Sequence, residues 1–359
     1  MLTIKKEYYQ LKFKQKMANK TTANLVKAQA RLLGAFQSSE LRFRYPATYL
    51  ALKGMSPIMF PNYDELRVRE DRTVETNFIA RAKRSLGTGG RTHNHTGVKQ
   101  DSAILTPSWT QYSDKFNMSL KQADNSLFNA DEQLFNEISN AVSNFMEGYE
   151  TAATSYLFTN RTAVVATTPE ATFITAGTVN AYEILAANES RAMQITKIAM
   201  EANKYAGGIT IFCDSVAYAK FEYQAAQGIS NSANLSFQFN GVTFVHSVEL
   251  NALAVAVKAG HTKGYWIVVP DGTVSTLPWI PIQNRIGVET VVGNYSNIIN
   301  PIDGESYALH TYVTAADDSA NNGYTQDVVT QYEISQDMSF AKAPLTVATE
   351  TPIIAFAII

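Results

Sequence analysis

Apolar residues recur at three-and-four spacing through Leu134, Phe135, Ile138, Ala141, Val142, Phe145, Met146, Tyr149, Ala152, Ala153, Tyr156 and Leu157. The stripe predicts one long amphipathic helix over about 129–159, spanning roughly 45 Å. Asn129 stands at the N-cap position, with Asp131 and Glu132 near the positive end of the helix. The stripe carries aromatics without heptad regularity, so the helix is expected on a sheet rather than in a coiled coil. Leu25, Ala28, Leu32, Leu33 and Phe36 predict a shorter helix ending near Gly34, preceded by about twenty polar, irregular residues. Pro46, Pro57 and Pro61 then predict a connector in which helices break.

Residues 64–120 carry a different period. From Leu66 to Ser85, charged and apolar or small residues alternate over much of the length; Arg67 and Arg69 flank Val68, and Arg81 and Lys83 flank Ala82. Period two places the charges on one face of a strand. A glycine-rich stretch, 87–97, follows, and the extended pattern resumes over 98–120 through Ile104, Trp109, Tyr112 and Phe116. Two long strands joined by a tip are expected, an arm of order 60 Å. Such a ribbon has no private core and is marginal alone, so it needs another surface to lie on.

Residues 178–325 are expected to form a mixed α/β domain. Ala181 to Tyr205 has helical spacing and stops at Gly207-Gly208; Ile209–Cys213 follows as a buried strand, and Asp214 or Ser215 caps a helix through Gln227. Hairpins are predicted at 236–245, turning at Asn240-Gly241, and at 265–277. A long strand from Asp327 ends near Pro344.

Composition adds two points. The 359 residues are 45% hydrophobic and only 17% charged, against about a quarter charged for a typical soluble domain, so less of this surface is intended for water. The net charge of −2 hides an asymmetry: residues 1–44 hold ten basic residues, among them Lys5, Lys6, Lys12, Lys14, Lys16, Lys20 and Lys27, whereas the stretch from Gly287 holds nine acids against Lys342. The basic head is expected to face a polyanion, to clasp an acidic surface such as that around Asp317-Asp318 on another copy, or to stand as a solvated terminus. No apolar run has the length of a membrane span, and the first residues lack a signal-peptide core, so synthesis and use in a cytoplasm are expected.

Local chemistry is sparse. Cys213 lies in an apolar strand as a small core residue. Gly87-Thr-Gly-Gly fits neither the dinucleotide nor the P-loop pattern. His93 and His95 lack a third ligand for zinc, and His246, His261 and His310 are expected as structural histidines. The carboxylate pairs Asp64-Glu65 and Glu70-Asp71 are interleaved with Arg67, Arg69 and Arg72, which suits charge pairing better than acid–base catalysis. No catalytic, cofactor or metal residue is assigned, and no enzyme is expected.

The order of elements resembles the HK97-like capsid fold of tailed bacteriophages: arm, charged hairpin, long helix, α/β domain, long returning strand. Gly208 to Phe221 looks like that family's axial-domain strand leading into a helix, and Tyr332 to Pro344 like its closing strand. The resemblance implies an α+β fold with an N-terminal arm and connector (1–63), a β-hairpin called the E-loop (64–120), a P domain (121–177 and 326–359) around the spine helix, and an A domain (178–325). It implies a homo-oligomeric shell of hexamers and pentamers in the virion, contact with packaged DNA, minor capsid or scaffold proteins as partners, and no membrane. On that basis Arg67, Arg69, Arg81, Lys83 and Arg84 are the expected subunit contacts. The tail beyond Pro344 departs from the family pattern. A tail-tube protein, or an enzyme without a local motif, is the competing expectation.

Overall fold

The computed structural model describes residues 25–38, 44–70, 72, 76–79, 102–119, 130–175, 179–205, 207–228, 241–257, 263–290, 293–318, 324–345 and 350–359. The first described element is helix α1 (25–37), which buries Leu25, Ala28 and Leu32 but exposes Leu33, and runs three residues past Gly34. Helices α2 (Ala47–Met59) and α3 (Tyr63–Arg67) follow. Pro57 lies inside α2, contrary to the predicted break. It falls in the last turn, where its missing N–H costs a single bond, while Leu52, Met55 and Met59 hold the helix on the core.

Strands β1 (Thr76–Ile79) and β2 (Ser102–Leu105) pair antiparallel as a two-stranded ribbon. Strand β3 (Trp109–Ser119) leaves that ribbon for the body. The expected hairpin is therefore corrected at both ends. Residues 63–67 are helical because Tyr63 and Leu66 dock into a core with Met59, Phe60 and Leu277, and 109–119 belong to a large sheet. The tip lies outside the described residues.

Helix α4 (Ala130–Thr159) is the predicted spine, 30 residues long. Strands β4 (Thr172–Ile174) and β5 (Ala181–Ile184), a 3-10 turn (Ala186–Arg191) and helix α5 (Ala192–Ala202) come next. The helix expected from Ala181 thus starts eleven residues later than predicted; Tyr182 and Ile184 are drawn into a sheet core instead. Strand β6 (Ile209–Cys213), helix α6 (Ser215–Gly228), strand β7 (Val242–His246) and helix α7 (Glu249–Val257) follow. The chain continues through β8 (Tyr265–Pro270), β9 (Val274–Trp279), α8 (Ile282–Ile286), β10 (Val288–Glu289), β11 (Gly293–Ile299), β12 (Ser306–Asp318), β13 (Tyr324–Lys342) and β14 (Ile354–Ile358).

Two six-stranded sheets organise these elements. The first runs β10-β11-β12-β13-β3, with β9 joining the far end of β13. All its pairs are antiparallel, and the 19-residue β13 is its axis. Tyr332, Ile334 and Met338 of β13 face α4, while Gln331, Glu333 and Ser335 alternate to the outside. The second sheet runs β4-β5-β14-β8-β6-β7 and is mixed, with β5∥β14 and β6∥β7. One of its faces packs Ile211, Cys213, Trp266, Val268 and Phe356 with residues of α5 and α6. The other packs Phe212, Tyr265, Ile267 and Ala355 with residues of α4 and α7. A single continuous core includes α4 residues from Leu134 to Leu157 and apolar residues of both sheets, so the spine joins them.

This arrangement corrects the expected 265–277 hairpin: β8 and β9 are adjacent in the chain but enter different sheets. The turn between them needs Gly272 (φ 75°), where a Cβ would come 2.3 Å from Ile58 Cγ2. The expected boundary near residue 325 also fails to follow the sheets. Strands β9 to β12 share the sheet of β13, and the tail strand β14 sits fully buried inside the second sheet. The predicted turn residue Gly241 has φ 70°, but the first strand of that hairpin lies outside the described residues, and β7 pairs parallel with β6.

Candidate assembly surface

The foot of the ribbon is where projecting chain meets the body. Indole Nε1 of Trp279, at the end of β9, donates to Arg69 O at 2.9 Å, and Arg285 Nη1 donates to the same carbonyl at 3.0 Å. Trp109, the first residue of β3, donates its Nε1 to Arg72 O at 2.9 Å. The Arg72 guanidinium reaches Asp337 of β13 at 2.9 Å and lies 5.6 Å from the centre of the Trp279 ring. Arg285 lies 5.4 Å from that ring. Each tryptophan thus offers an apolar plate and one donor, a pairing suited to half-buried junctions. Burial pushes the Asp337 carboxyl above its ordinary range, with the Arg72 charge pulling it back.

Beneath the foot lies a charged junction. Glu305, nearly inaccessible, is ion-paired with Lys53 at 2.7 Å and with Arg67. Asp303 accepts from Tyr307 OH at 2.8 Å, from Tyr49 OH at 3.2 Å and from Glu305 N at 2.9 Å. Burial raises the Asp303 carboxyl and the hydroxyls of Tyr49, Tyr63 and Tyr307 above their usual values. This network ties α2 and α3 to the loop before β12.

A third buried carboxylate orders the same helix. Glu150 of α4 accepts from Thr48 N at 2.8 Å, Tyr49 N at 3.1 Å, Thr48 Oγ1 at 2.6 Å and Ser247 Oγ at 3.1 Å. It caps the N-terminus of α2 from another element, where a negative charge meets the helix dipole. Pro46, at the cap position, has no side-chain acceptor to do so.

The outer face of the first sheet is polar along β3 and β13, with Tyr312 and Ile299 exposed further across it. Gln111, Ser113, Lys115 and Asn117 of β3 stand opposite Asp337, Ser335, Glu333 and Gln331 of β13. Glu333 in turn stands opposite His310, which stacks on Tyr295 at 4.4 Å. Lys115 pairs with Glu333 at 3.3 Å.

Of the predicted contact residues, Arg67 is committed to Glu305 and Asp64 of its own chain. Arg69 is exposed at the foot of the ribbon, its backbone held and its side chain turned to solvent. Arg81, Lys83 and Arg84 lie outside the described residues, as do Lys5, Lys6, Lys12, Lys14, Lys16 and Lys20. Lys27 pairs with Asp131 on α4 at 3.7 Å. Sequence reasoning missed Trp109, Trp279, Arg285 and Asp337, which are dispersed along the chain. The available signal was a tryptophan at the start of a polar strand, Trp109, and another at the end of a mostly apolar one, Trp279, each a costly residue to leave without a contact.

One Ser–His pair falls within hydrogen-bond reach: Ser215 Oγ and His246 Nε2 at 2.9 Å. Asn251 Nδ2 donates to the same Oγ at 2.8 Å, and Asn251 Oδ1 accepts from Ser215 N at 2.8 Å. The His246 ring stacks on Tyr218. The adjacent carboxylate, Asp214, accepts from Ala217 N at 2.7 Å and caps α6. The group pins the start of α6 to β7 and α7, and its acid is turned to capping rather than to orienting the imidazole as a catalytic triad requires. Among the described residues no His, Cys, Asp or Glu cluster is placed to hold a metal ion, and no helix is long and apolar enough to cross a membrane.

No protein-family model matches the sequence, and no curated protein does. Solved phage structures overlap the chain in outline. One from the cyanophage Pam1 capsid asymmetric unit gives a TM-score of 0.47 at 11% identity, covering 82% of this chain and 87% of that one. One from the asymmetric unit of the bacteriophage PhiM1 mature capsid gives 0.44 at 13%, covering 80% and 82%. One from Mycobacterium phage Che8 gives 0.44 at 9%, covering 82% and 87%. Overlaps of this size identify no family, and the function rests on the chain's own geometry.

Proposed function

We propose that this chain is the major capsid protein of a tailed phage, with an HK97-like fold, that assembles with copies of itself into the icosahedral shell around the genome. The observation that carries the reading is the β1–β2 ribbon: its strands pair with each other and with no other described strand, while its foot is bolted to a rigid body. A two-stranded ribbon of this kind gains independent stability only against a further surface, and a neighbouring subunit supplies one. In this reading the ribbon is the E-loop, α4 and the first sheet form the P domain, and the second sheet forms the A domain. Hexamers and pentamers are the capsomers, duplex DNA is the cargo met through non-specific charge contacts, and scaffold or minor capsid proteins are the further partners. The chain would be made in the host bacterial cytoplasm and end in the virion.

The test is negative-stain imaging of the purified full-length chain under assembly conditions. Closed shells support the proposal; open tubes would mean a tail-tube protein; particles that never associate would overturn both. Cysteines placed at Arg81 should then crosslink between copies in assembled particles. Removing Arg69, Arg81, Lys83 and Arg84 together should block assembly while leaving circular dichroism unchanged. Single removals should be tolerated, since each exposed ion pair contributes below about 1 kcal/mol. Deleting residues 1–20 should lower the melting point of DNA-free shells if the basic head clasps a neighbour, and leave it unchanged if the head faces DNA.

A further inference from the structure

The ribbon enters the body through two legs that differ in kind. Its second strand continues through Pro107 directly into β3 and the sheet ladder. Its first strand is reached from α3 through Arg69 and Arg72, which belong to no sheet and are held by side chains alone. The donors all come from the body: Trp279, Arg285 and Trp109. All three bonds end on backbone carbonyls that any residue would offer equally. The contacts that depend on a strap side chain are those of the Arg72 guanidinium, which pairs with Asp337 and lies 5.6 Å from the centre of the Trp279 ring. Asp337 is well covered, its side chain 9% exposed, whereas Arg72 is 51% exposed and free to swing away.

We propose that the Arg69–Arg72 strap is a latch that sets the direction of the ribbon, with the Arg72–Asp337 pair as its release point. This deepens the shell-subunit reading and concerns the free subunit as well as the assembled one. With the pair intact, Trp109 closes the foot of the ribbon by binding the opposite leg at Arg72 O, so both legs are fixed to one sheet. When Asp337 takes up a proton, Arg72 loses its counter-charge and the outer leg is left with the indole and Arg285 bonds.

The electrostatics favour release without unfolding. Burial is the main influence on Asp337 and raises its pKa, so protonation begins at higher pH than for a free aspartate. Protonation also removes a charge that the sheet pays to bury, so the body is not weakened. The ionisable groups around Asp337 are Arg72 on the strap, Arg285 from α8 beside the shared Trp279 ring, Lys115 and Glu333 further along the outer face, and Tyr149 from the α4 side. Lys115 and Glu333 neutralise each other, which leaves Arg72 as the partner whose loss matters.

The test uses the unassembled full-length chain, so its failure is separate from any failure to form shells. Spin labels are placed at Ile104→Cys on β2, which is 59% exposed, and Ser113→Cys on the outer face of β3; Cys213 is buried and does not label. Pulsed electron resonance at pH 7.5 should give one narrow distance. R72Q, D337N and W279F should each broaden it, with melting temperatures of R72Q and D337N close to that of the parent. Lowering the pH should broaden the parent distribution and leave D337N, already broad, unchanged. If R72Q and D337N both superpose on the parent at every pH, the latch is overturned.

Discussion

The two sheets have six strands each and share one spine helix, but they solve opposite problems. In the second sheet, β6, β8 and β14 are buried at every position, because helices cover one face and the spine covers the other. Their sequences are accordingly apolar except at Thr210, whose hydroxyl donates to Asp271, as two-sided burial requires. In the first sheet, exposed positions alternate along β3 from Gln111 to Asn117, and the outer face carries amides, hydroxyls and the ion pairs Lys115–Glu333 and Arg72–Asp337. The central strands of the second sheet are covered on both faces, while the first sheet presents a face and roots the ribbon. Stability is therefore concentrated in one sheet and contact surface in the other.

The contrast is sharpest at Trp266, which stacks on Phe356 at 5.7 Å, meets Phe221 edge-on at 5.2 Å and donates to Thr196 Oγ1 at 3.2 Å. Trp266→Ala should cost about 3–5 kcal/mol in urea unfolding. A loss under 1 kcal/mol would mean the second sheet is not the stability core. Glu150→Ala should cost about 2–3 kcal/mol, since four donors, all buried with it, lose their carboxylate acceptor. Denaturant melts that leave Glu150→Ala at parental stability would refute the tertiary cap.

Two further outcomes concern the first sheet. The buried Asp303 carboxyl has a folded pKa above its unfolded value. Its folded form binds a proton more readily, so its contribution to stability is present at low pH and is lost as pH rises through the folded pKa. Asp303→Asn should remove that part of the slope, measured as the difference between parental and variant unfolding free energies from neutral to mildly acidic pH. Parallel pH profiles would contradict it. Lys115→Ala, on the outer face, should change stability by less than about 0.5 kcal/mol, as its partner Glu333 stays solvated. A larger loss would show that the polar face supports the monomer and is not a free surface.

Much of the local structure was legible in the residues. The spine was expected over about 129–159 and is found at Ala130–Thr159. The strand at Ile209–Cys213, the cap at Asp214 and the long closing strand lie where spacing placed them. These features depend on periodicity and capping within one segment, which a sequence displays directly. The ribbon's foot was not legible, because Arg69, Arg72, Trp109, Trp279, Arg285 and Asp337 come from separate stretches and meet only after folding.

The sequence by itself determined the conformation and the apolar face of its most strongly patterned segments, because the stripe at 134–157 and the run at 209–213 admit few other conformations. Only the tertiary structure decided where each strand went. A sequence such as Tyr265 to Trp279 is equally compatible with a hairpin or with two strands parted between sheets, and the same holds for a tail strand at an edge or in the middle. Strand partners are chosen by the burial each alternative achieves across the whole molecule, a sum over distant side chains that no local window contains. That is why β14 closes the second sheet from the far end of the chain, and why Tyr63 to Arg67 coils into a helix despite its alternating charges.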